Sequence, residues 1–244
     1  VENYNNHTST IYNNYLDLAK RMLEEKHIVV YAREEQLQKK LEKNDFAGRV
    51  EDTNSDYLMW VDANLAALKT DHAMDRNIKY QIKSQGGSYI AKVQMRYKHT
   101  MPNTDFRTTR YRTYARAFVP KGAKLIEAYD SSEEKTKTPK DIDTGNSLNK
   151  AWFGEFITIE PGQTETLSFT YKLPKDIVDQ INKGEYKLLA QKQIGTIEPK
   201  LTLSFDFGKN ITYAKPSEQK KYWGDSKYYL NTNLRTDKKF TVKF

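Results

Sequence analysis

The chain has 244 residues, with 40 Lys and Arg against 32 Asp and Glu and a formal net charge of +8 at neutral pH. It contains no cysteine, which excludes disulfides, thiolate nucleophiles, cysteine-ligated zinc and iron–sulfur clusters. The basic residues are interleaved with acidic ones along the whole sequence, a pattern typical of a solubilising surface, and the net charge favours anionic partners. No apolar run approaches the length of about 18 residues that a membrane span needs.

The first 75 residues have the pattern of a small mixed α/β subdomain. Apolar residues recur at helical spacing over residues 10–25 and again over 34–43, which predicts two helices. Residues 27–31 lie between them and form a short apolar run typical of a strand, and residues 57–61 form another. We therefore expect a helix–strand–helix unit over residues 1–75, followed by the rest of the chain as a second domain.

From residue 77 onward, apolar and polar residues alternate with a period of two, which is typical of strands that have one wet face. Turn residues such as Gly86-Gly87 and Pro161-Gly162 separate these runs. Strands are expected over residues 78–82, 89–97, 108–119, 124–129, 152–159, 164–173, 186–193, 201–207 and 239–244, with a helical turn over 176–182. The charged stretch 130–150 is expected to be a mobile loop. The prediction is a mainly β chain whose residues 76–244 form an antiparallel, immunoglobulin-like β-sandwich.

The sequence carries none of the short motifs that mark common catalytic or cofactor sites. It has no nucleophile elbow, no His-Glu-x-x-His pair, no P-loop and no dinucleotide-binding fingerprint. Its four histidines, His7, His27, His72 and His99, are not paired at metal-ligand spacing. We therefore expect no catalytic residue, no metal and no cofactor. A glycoside hydrolase needs only two carboxylates, so an enzyme acting on a polysaccharide stays open as an alternative.

The predicted strand 108–119 carries the first candidate binding residues. It places Arg110, Arg112, Tyr114 and Arg116 on one face, with alternate residues about 6.5 to 7 Å apart. Guanidinium groups in such a row bind phosphates or carboxylates, and a tyrosine ring stacks on sugars or bases. Cross-strand ion pairs with Asp or Glu explain the same arginines equally well.

The second candidate is a polar patch directly after the buried run 57–61. It consists of Asp62, Asn64, Lys69 and Asp71. A chain that emerges from the core often places its working groups at such a point. The alternative is that these side chains cap the turn and pair with one another.

Eight short segments carry a family resemblance that spans most of the chain. They are Lys26-His-Ile-Val-Val-Tyr31, Glu35-Gln-Leu-Gln38, Phe46-Ala-Gly48, Asp56-Tyr-Leu-Met-Trp-Val-Asp-Ala-Asn-Leu65, Lys69-Thr-Asp71, Tyr111-Arg-Thr-Tyr114, Phe118-Val-Pro-Lys-Gly122 and Gln191-Lys-Gln-Ile-Gly195. In this order they resemble the C-terminal region of an uncharacterised bacterial domain-of-unknown-function family of membrane-anchored, extracellular envelope proteins, found in monoderm and candidate-phylum bacteria. The resemblance implies an extracellular location and a parent protein with an upstream membrane anchor. It assigns no activity and no catalytic residue.

Together these observations predict a non-catalytic extracellular binding or scaffolding module of a bacterial cell-surface protein. The expected partner is an anionic envelope glycan or another surface protein, and membrane attachment is expected only through the upstream anchor of the parent. An enzyme acting on envelope polysaccharide is the alternative. Nucleic-acid binding, whose affinity falls steeply with salt, is a second alternative that the arginine and tyrosine strand favours.

Overall fold

The computed structural model describes residues 2–244, with side chains from Tyr12 onward. The helices are α1 (Glu2–Glu24), α2 (Glu35–Lys43) and α3 (Lys175–Asn182). The strands are β1 (Asp56–Asn64), β2 (Met74–Gln85), β3 (Ser88–His99), β4 (Tyr111–Pro120), β5 (Lys124–Asp130), β6 (Lys135–Lys137), β7 (Asp143–Ser147), β8 (Lys150–Ile159), β9 (Thr164–Lys172), β10 (Glu185–Ala190), β11 (Lys200–Asp206), β12 (Tyr213–Lys215), β13 (Lys227–Asn233) and β14 (Lys238–Lys243). The alternating runs of the sequence therefore become strands, and the expected helical turn becomes α3.

The strands form two seven-stranded sheets that share one hydrophobic core. Sheet one has the order β12-β14-β10-β1-β4-β8-β7, and sheet two has the order β13-β11-β2-β3-β9-β5-β6. Most neighbours are antiparallel, but β1 pairs with β10 and β11 pairs with β2 in parallel. The prediction of a mainly β, sandwich-like fold is confirmed, whereas the prediction of a purely antiparallel sandwich is wrong. The immunoglobulin-like topology is not confirmed, because the sheets are mixed and hold more strands than that fold has.

The core between the sheets is rich in tyrosine, and the hydroxyl groups meet at one buried carboxylate. Asp56 is fully buried and accepts hydrogen bonds from Tyr80 Oη at 2.7 Å and from Tyr186 Oη at 2.6 Å. Tyr171 Oη in turn donates to Tyr80 Oη at 2.9 Å, and the backbone N–H of Tyr57 donates to the other oxygen of Asp56 at 2.8 Å. The large rings thus fill the core while their polar tips are satisfied, as burial of such groups requires.

The buried tyrosines make the fold sensitive to alkali. Burial raises the pKa of Tyr57, Tyr80, Tyr97, Tyr171 and Tyr186 above the ordinary value of 10.0. Because the folded-state pKa is raised, this contribution to stability is fully present below about pH 10 and is lost as the pH rises further. We expect cooperative unfolding above about pH 10, seen as simultaneous loss of circular dichroism and appearance of buried tyrosinate absorbance. Full ionisation of the tyrosines with native circular dichroism would contradict it.

The N-terminal part differs from the predicted helix–strand–helix unit. α1 runs from Glu2 to Glu24, so it begins well before the predicted start at residue 10. Residues 27–31 belong to no strand of the described structure. Four of these five residues are exposed, and only Val30 N of this run donates to a distant backbone group, Phe46 O, at 2.9 Å. No helix within residues 2–244 is both long and apolar enough to cross a membrane.

The structure also bears on the segment around residue 75 and on the predicted loop 130–150. The sequence places a domain boundary after residue 75, while β1, which precedes that point, lies between β10 and β4 inside sheet one. The predicted mobile loop 130–150 is wrong, because it contains β6 and β7, which pair with β5 and β8. Both are short polar strands at sheet edges, where no buried face imposes an alternating pattern.

Candidate functional site

The outer face of sheet one carries Arg112, Tyr114 and Arg116 of the predicted arginine row on β4, and Arg110 lies directly before this strand. Residues on the inner side of this strand, Tyr111, Thr113 and Ala115, are fully buried. The alternation of side chains along a strand therefore turns Arg112, Tyr114 and Arg116 outward. β4 lies between β1 and β8, so both neighbouring strands frame these side chains.

Arg116 is surrounded by aromatic rings instead of acids. Its Cζ lies 5.9 Å from the ring centroid of Tyr114, 5.5 Å from that of Phe118 and 5.8 Å from that of Trp152. Among the described residues it has no carboxylate within the ion-pair distance of 4.0 Å, and its buried Nε has no hydrogen-bond partner. The rings therefore orient a guanidinium charge that no acid in this part of the structure neutralises.

Two glycines on neighbouring strands allow these rings to lie close to the sheet. A Cβ atom on Gly154 would come within 2.6 Å of Tyr114 Oη, and one on Gly145 within 2.5 Å of Trp152 Cζ2. Tyr114 Oη also donates to Asp143 Oδ2 at 2.7 Å. Burial and this hydrogen bond raise the pKa of Tyr114 to about 12, so its ring keeps a neutral hydroxyl.

The other two arginines of the row differ from each other. Arg110 Nε lies 3.3 Å from Glu160 Oε1, and both side chains are half exposed, so this is a surface ion pair. Arg112 is exposed and has no carboxylate within 4.0 Å among residues 12–244.

Phe156 on β8 lies opposite Tyr114 and is 43% exposed. We call the set of Arg112, Tyr114, Arg116, Trp152 and Phe156 the arginine face.

The predicted polar patch lies at a different place, a cleft of about 680 Å³ beyond the end of β1. Asp62, Asn64 and Asp71 line this cleft together with Arg76 and the loop 193–199. Lys69 does not line it. Its backbone N–H donates to Arg107 O at 2.9 Å, and its backbone oxygen contacts His72 Nδ1 at 2.6 Å.

Arg76 joins the acidic residues of the cleft into one hydrogen-bond network. Its Nε donates to Asp62 Oδ2 at 2.9 Å, and its Nη2 donates to Asp71 Oδ1 at 2.7 Å. Tyr97 Oη donates to the second oxygen of Asp62 at 2.5 Å, and Asn64 Nδ2 donates to the second oxygen of Asp71 at 2.8 Å. Every carboxylate oxygen of this pair thus accepts a hydrogen bond from the protein. Hydrogen bonds from the protein therefore hold both carboxylates in place.

The sequence did not indicate several residues of the arginine face and of the cleft at Asp62. Trp152 and Phe156 reach the arginine face from β8, and Trp60 reaches the Asp62 network from the core, where its Nε1 donates to Tyr97 Oη at 2.8 Å. The alternation within residues 152–159 was the available signal for the first two, but only the register between β4 and β8 brings them beside Tyr114.

No family model matches the chain, and neither does any curated protein. Solved structures match at low sequence identity. A candidate nutrient binding protein of Legionella pneumophila has a TM-score of 0.44 and 10% identity, with 78% of this chain and 70% of that one covered. Leukotriene A4 hydrolase of Saccharomyces cerevisiae has a TM-score of 0.37 and 6% identity over 74% of this chain and 30% of its own. An M1 zinc metallopeptidase of Deinococcus radiodurans has a TM-score of 0.30 and 11% identity over 70% and 42%. All three TM-scores are below 0.5, so none of these structures supports a functional argument.

Proposed function

We propose that the chain is a non-catalytic binding module of a bacterial cell-surface protein and that its arginine face binds the anionic groups of an envelope glycan. The observation that supports this proposal is the pair Arg112 and Arg116. Both are on the outer side of a central strand, and neither has a carboxylate partner within 4.0 Å in the described part of the chain. The extracellular setting rests on the family resemblance.

The arrangement fits a polymer with repeated charges better than a small ion. Arg112 and Arg116 are four residues apart on one strand, so their α-carbons are separated by about 13 Å. Tyr114 lies between them and offers a ring on which a sugar can stack. A guanidinium presents a planar fork of donors that matches phosphate or carboxylate oxygens. Two such forks with aromatic rings beside them suit successive charged units of a glycan.

The positions of the acids favour binding over the alternative of an enzyme acting on envelope polysaccharide. Such an enzyme needs two carboxylates that face the substrate and are free to exchange protons. In the cleft, Asp62 and Asp71 are both held by Arg76. Beside the arginine face, Asp143 accepts the hydroxyl hydrogen of Tyr114. The other two acids that line the cleft are also engaged, because Asp75 pairs with Lys200 and Glu198 accepts a hydrogen bond from Asn233.

The proposal predicts that the double variant R112A/R116A loses binding to isolated polyglycerol phosphate wall polymer. Binding of the purified wild-type chain should weaken with added salt, because each phosphate contact releases counterions. Removing two charge-assisted contacts should lower the affinity at low salt by roughly tenfold or more. Microscale thermophoresis or a pull-down on immobilised polymer at low and high salt measures both effects.

The matched control is R110A, which removes an arginine of the same strand region that is already paired with Glu160. Its affinity should stay within about twofold of the wild-type value. Equal binding by wild type and R112A/R116A would contradict the proposal. Single-stranded DNA serves as a competitor, and tighter binding of DNA than of wall polymer at every salt concentration would favour the nucleic-acid alternative.

A further inference from the structure

A separate cavity of about 370 Å³ lies where the turn between β7 and β8 meets the beginning of α3. It is lined by residues 53–55, 57, 120–121, 149–150, 174, 176–177 and 180. It shares no residue with the arginine face or with the cleft at Asp62. None of the candidate residues predicted from the sequence lies in it.

Lys150, the first residue of β8, is a lining residue whose ammonium group lacks a hydrogen-bond acceptor. The residue is 1% exposed, and its Nζ lies 4.7 Å from the ring centroid of Tyr57. Among the described residues, Asp52 alone places a carboxylate oxygen within 4.0 Å of it, at 3.8 Å, which is too long for a hydrogen bond. That oxygen already accepts a hydrogen bond from Asn149 Nδ2 at 3.0 Å. A buried ammonium group has three donors, and leaving them unsatisfied costs free energy.

The N-terminus of α3 supplies a second positive group to the same cavity. Pro174 is the N-cap residue, and it has no side chain that can accept a hydrogen bond from the helix. Within the described structure, the backbone N–H groups of Lys175 and Asp176 donate to no other group. Unpaired N–H groups at the beginning of a helix carry a partial positive charge and are a common binding place for anions. Pro174 and Asp176 both line the cavity.

The neighbouring surface is also basic. A second cleft of about 520 Å³ shares Lys121, Pro174 and Asp176 with the cavity and is lined by four lysines in all: Lys121, Lys124, Lys172 and Lys175. Lys175 pairs with Asp179, whereas the other three have no carboxylate within 4.0 Å in residues 12–244. Among the described residues that line the cavity or the cleft, Asp176 is the only acid, and it is exposed. Positive charge around an opening raises the local concentration of anions.

We propose that this cavity binds an oxyanion, a phosphate or carboxylate group, between Lys150 Nζ and the N-terminus of α3, with Lys121 at the rim. The anion would supply the acceptors that the ammonium group and the backbone N–H groups of Lys175 and Asp176 lack. The site does not depend on glycan binding at the arginine face. Burial also lowers the pKa of Lys150, against the opposing effect of Asp52, and an anion bound beside it favours the charged amine.

Titration with inorganic phosphate at neutral pH, followed by amide nuclear magnetic resonance, tests the site. The backbone amides of Lys175 and Asp176 should shift in a saturable way in the millimolar range. In K150M, which keeps an apolar stem over the ring of Tyr57, the affinity should fall by about tenfold. The matched control K200M removes an exposed lysine that is paired with Asp75, and it should bind phosphate as the wild type does.

A second variant keeps the test decisive if K150M does not fold. D52N removes the competing carboxylate 3.8 Å from Lys150 Nζ, so phosphate should bind about two- to threefold more tightly. The proposal is overturned if the amides of Lys175 and Asp176 do not respond to phosphate, if K150M responds as the wild type does, or if D52N binds phosphate no more tightly. R112A/R116A should leave the phosphate response unchanged, which separates this site from the arginine face.

The same experiment distinguishes a free anion from an anionic group on a larger molecule. Inorganic phosphate is compared with a glycan that ends in a phosphate monoester, both read at the amides of Lys175 and Asp176. Equal affinity indicates that the phosphate group alone is recognised. Tighter binding of the glycan that also requires Lys124 and Lys172 indicates a ligand that extends into the neighbouring basic cleft.

Discussion

Replacing Arg76 with alanine is expected to lower the free energy of unfolding by about 3 to 5 kcal/mol. Arg76 is 8% exposed, and its guanidinium holds Asp62, which is 9% exposed, and one oxygen of Asp71. Without it, the carboxylate of Asp62 stays buried with Tyr97 and Trp60 as its remaining side-chain donors. An uncompensated buried charge is costly because neither water nor a counter-charge can solvate it.

Urea unfolding followed by tryptophan fluorescence measures this loss. The control K200A breaks the exposed ion pair between Lys200 and Asp75, which should cost less than about 1 kcal/mol. Adding D62N to R76A should recover part of the stability, since it removes the stranded charge. If R76A and K200A lost equal stability, water would have to reach Asp62, and the account of a closed network at the cleft wall would be wrong.

Much of the sandwich could be predicted from the sequence because most of its strands have one buried and one exposed face. The alternation from residue 77 onward predicts β2 and β3, and their residues alternate in burial along most of both strands. The parallel pairing of β1 with β10 could not be predicted in this way. It joins strands more than 120 residues apart, and local alternation does not report which strand lies beside which.

The apolar run 27–31 shows how the same signal fails. Apolar β-branched residues predict a strand, yet Ile28, Val29, Val30 and Tyr31 are exposed and belong to no strand. A Cβ atom on Gly48 would come within 2.9 Å of both Val29 Cγ1 and Ile194 Cδ1, so one side chain of the run lies beside Gly48 and Ile194. The hydrophobicity of a short run therefore does not tell whether its residues pair in a sheet or lie in an exposed loop.

The candidate sites also combine features that local sequence predicts with features that depend on which strands lie side by side. Spacing alone predicts that Arg112, Tyr114 and Arg116 share a face, because that depends only on the period of a strand. The difference between paired Arg110 and unpaired Arg116 depends on the course of β8: its Trp152 lies beside Arg116, and Glu160, directly after its end, pairs with Arg110. Lys150 gave no signal at all, since a lysine at the start of a strand is ordinarily exposed.

The free energy of unfolding of the wild type minus that of the Asp56→Asn variant should increase as the pH falls. Burial raises the pKa of Asp56 from 3.8 to about 6, against the lowering effect of hydrogen bonds from Tyr186, Tyr80 and the backbone of Tyr57. Because the folded-state pKa is raised, the protonated carboxyl contributes stability that is fully present below pH 3.8 and is lost as the pH rises through about 6. A shift of about two pKa units corresponds to about 3 kcal/mol.

Urea unfolding of both proteins at neutral pH, about pH 5 and about pH 4 tests this expectation. Asparagine does not titrate, so subtracting its curve removes the contributions of the other acids. The unfolding free energy of the wild type minus that of the variant should rise by about 2 kcal/mol between neutral pH and about pH 4, where most of the full effect is present. A difference that does not change with pH would mean that the tyrosine hydroxyls hold the carboxylate ionised throughout. A growing difference would mean that the tyrosine-rich core prefers a neutral acid at its centre, so that Asp56 stabilises the fold in mildly acidic surroundings and costs stability at neutral pH.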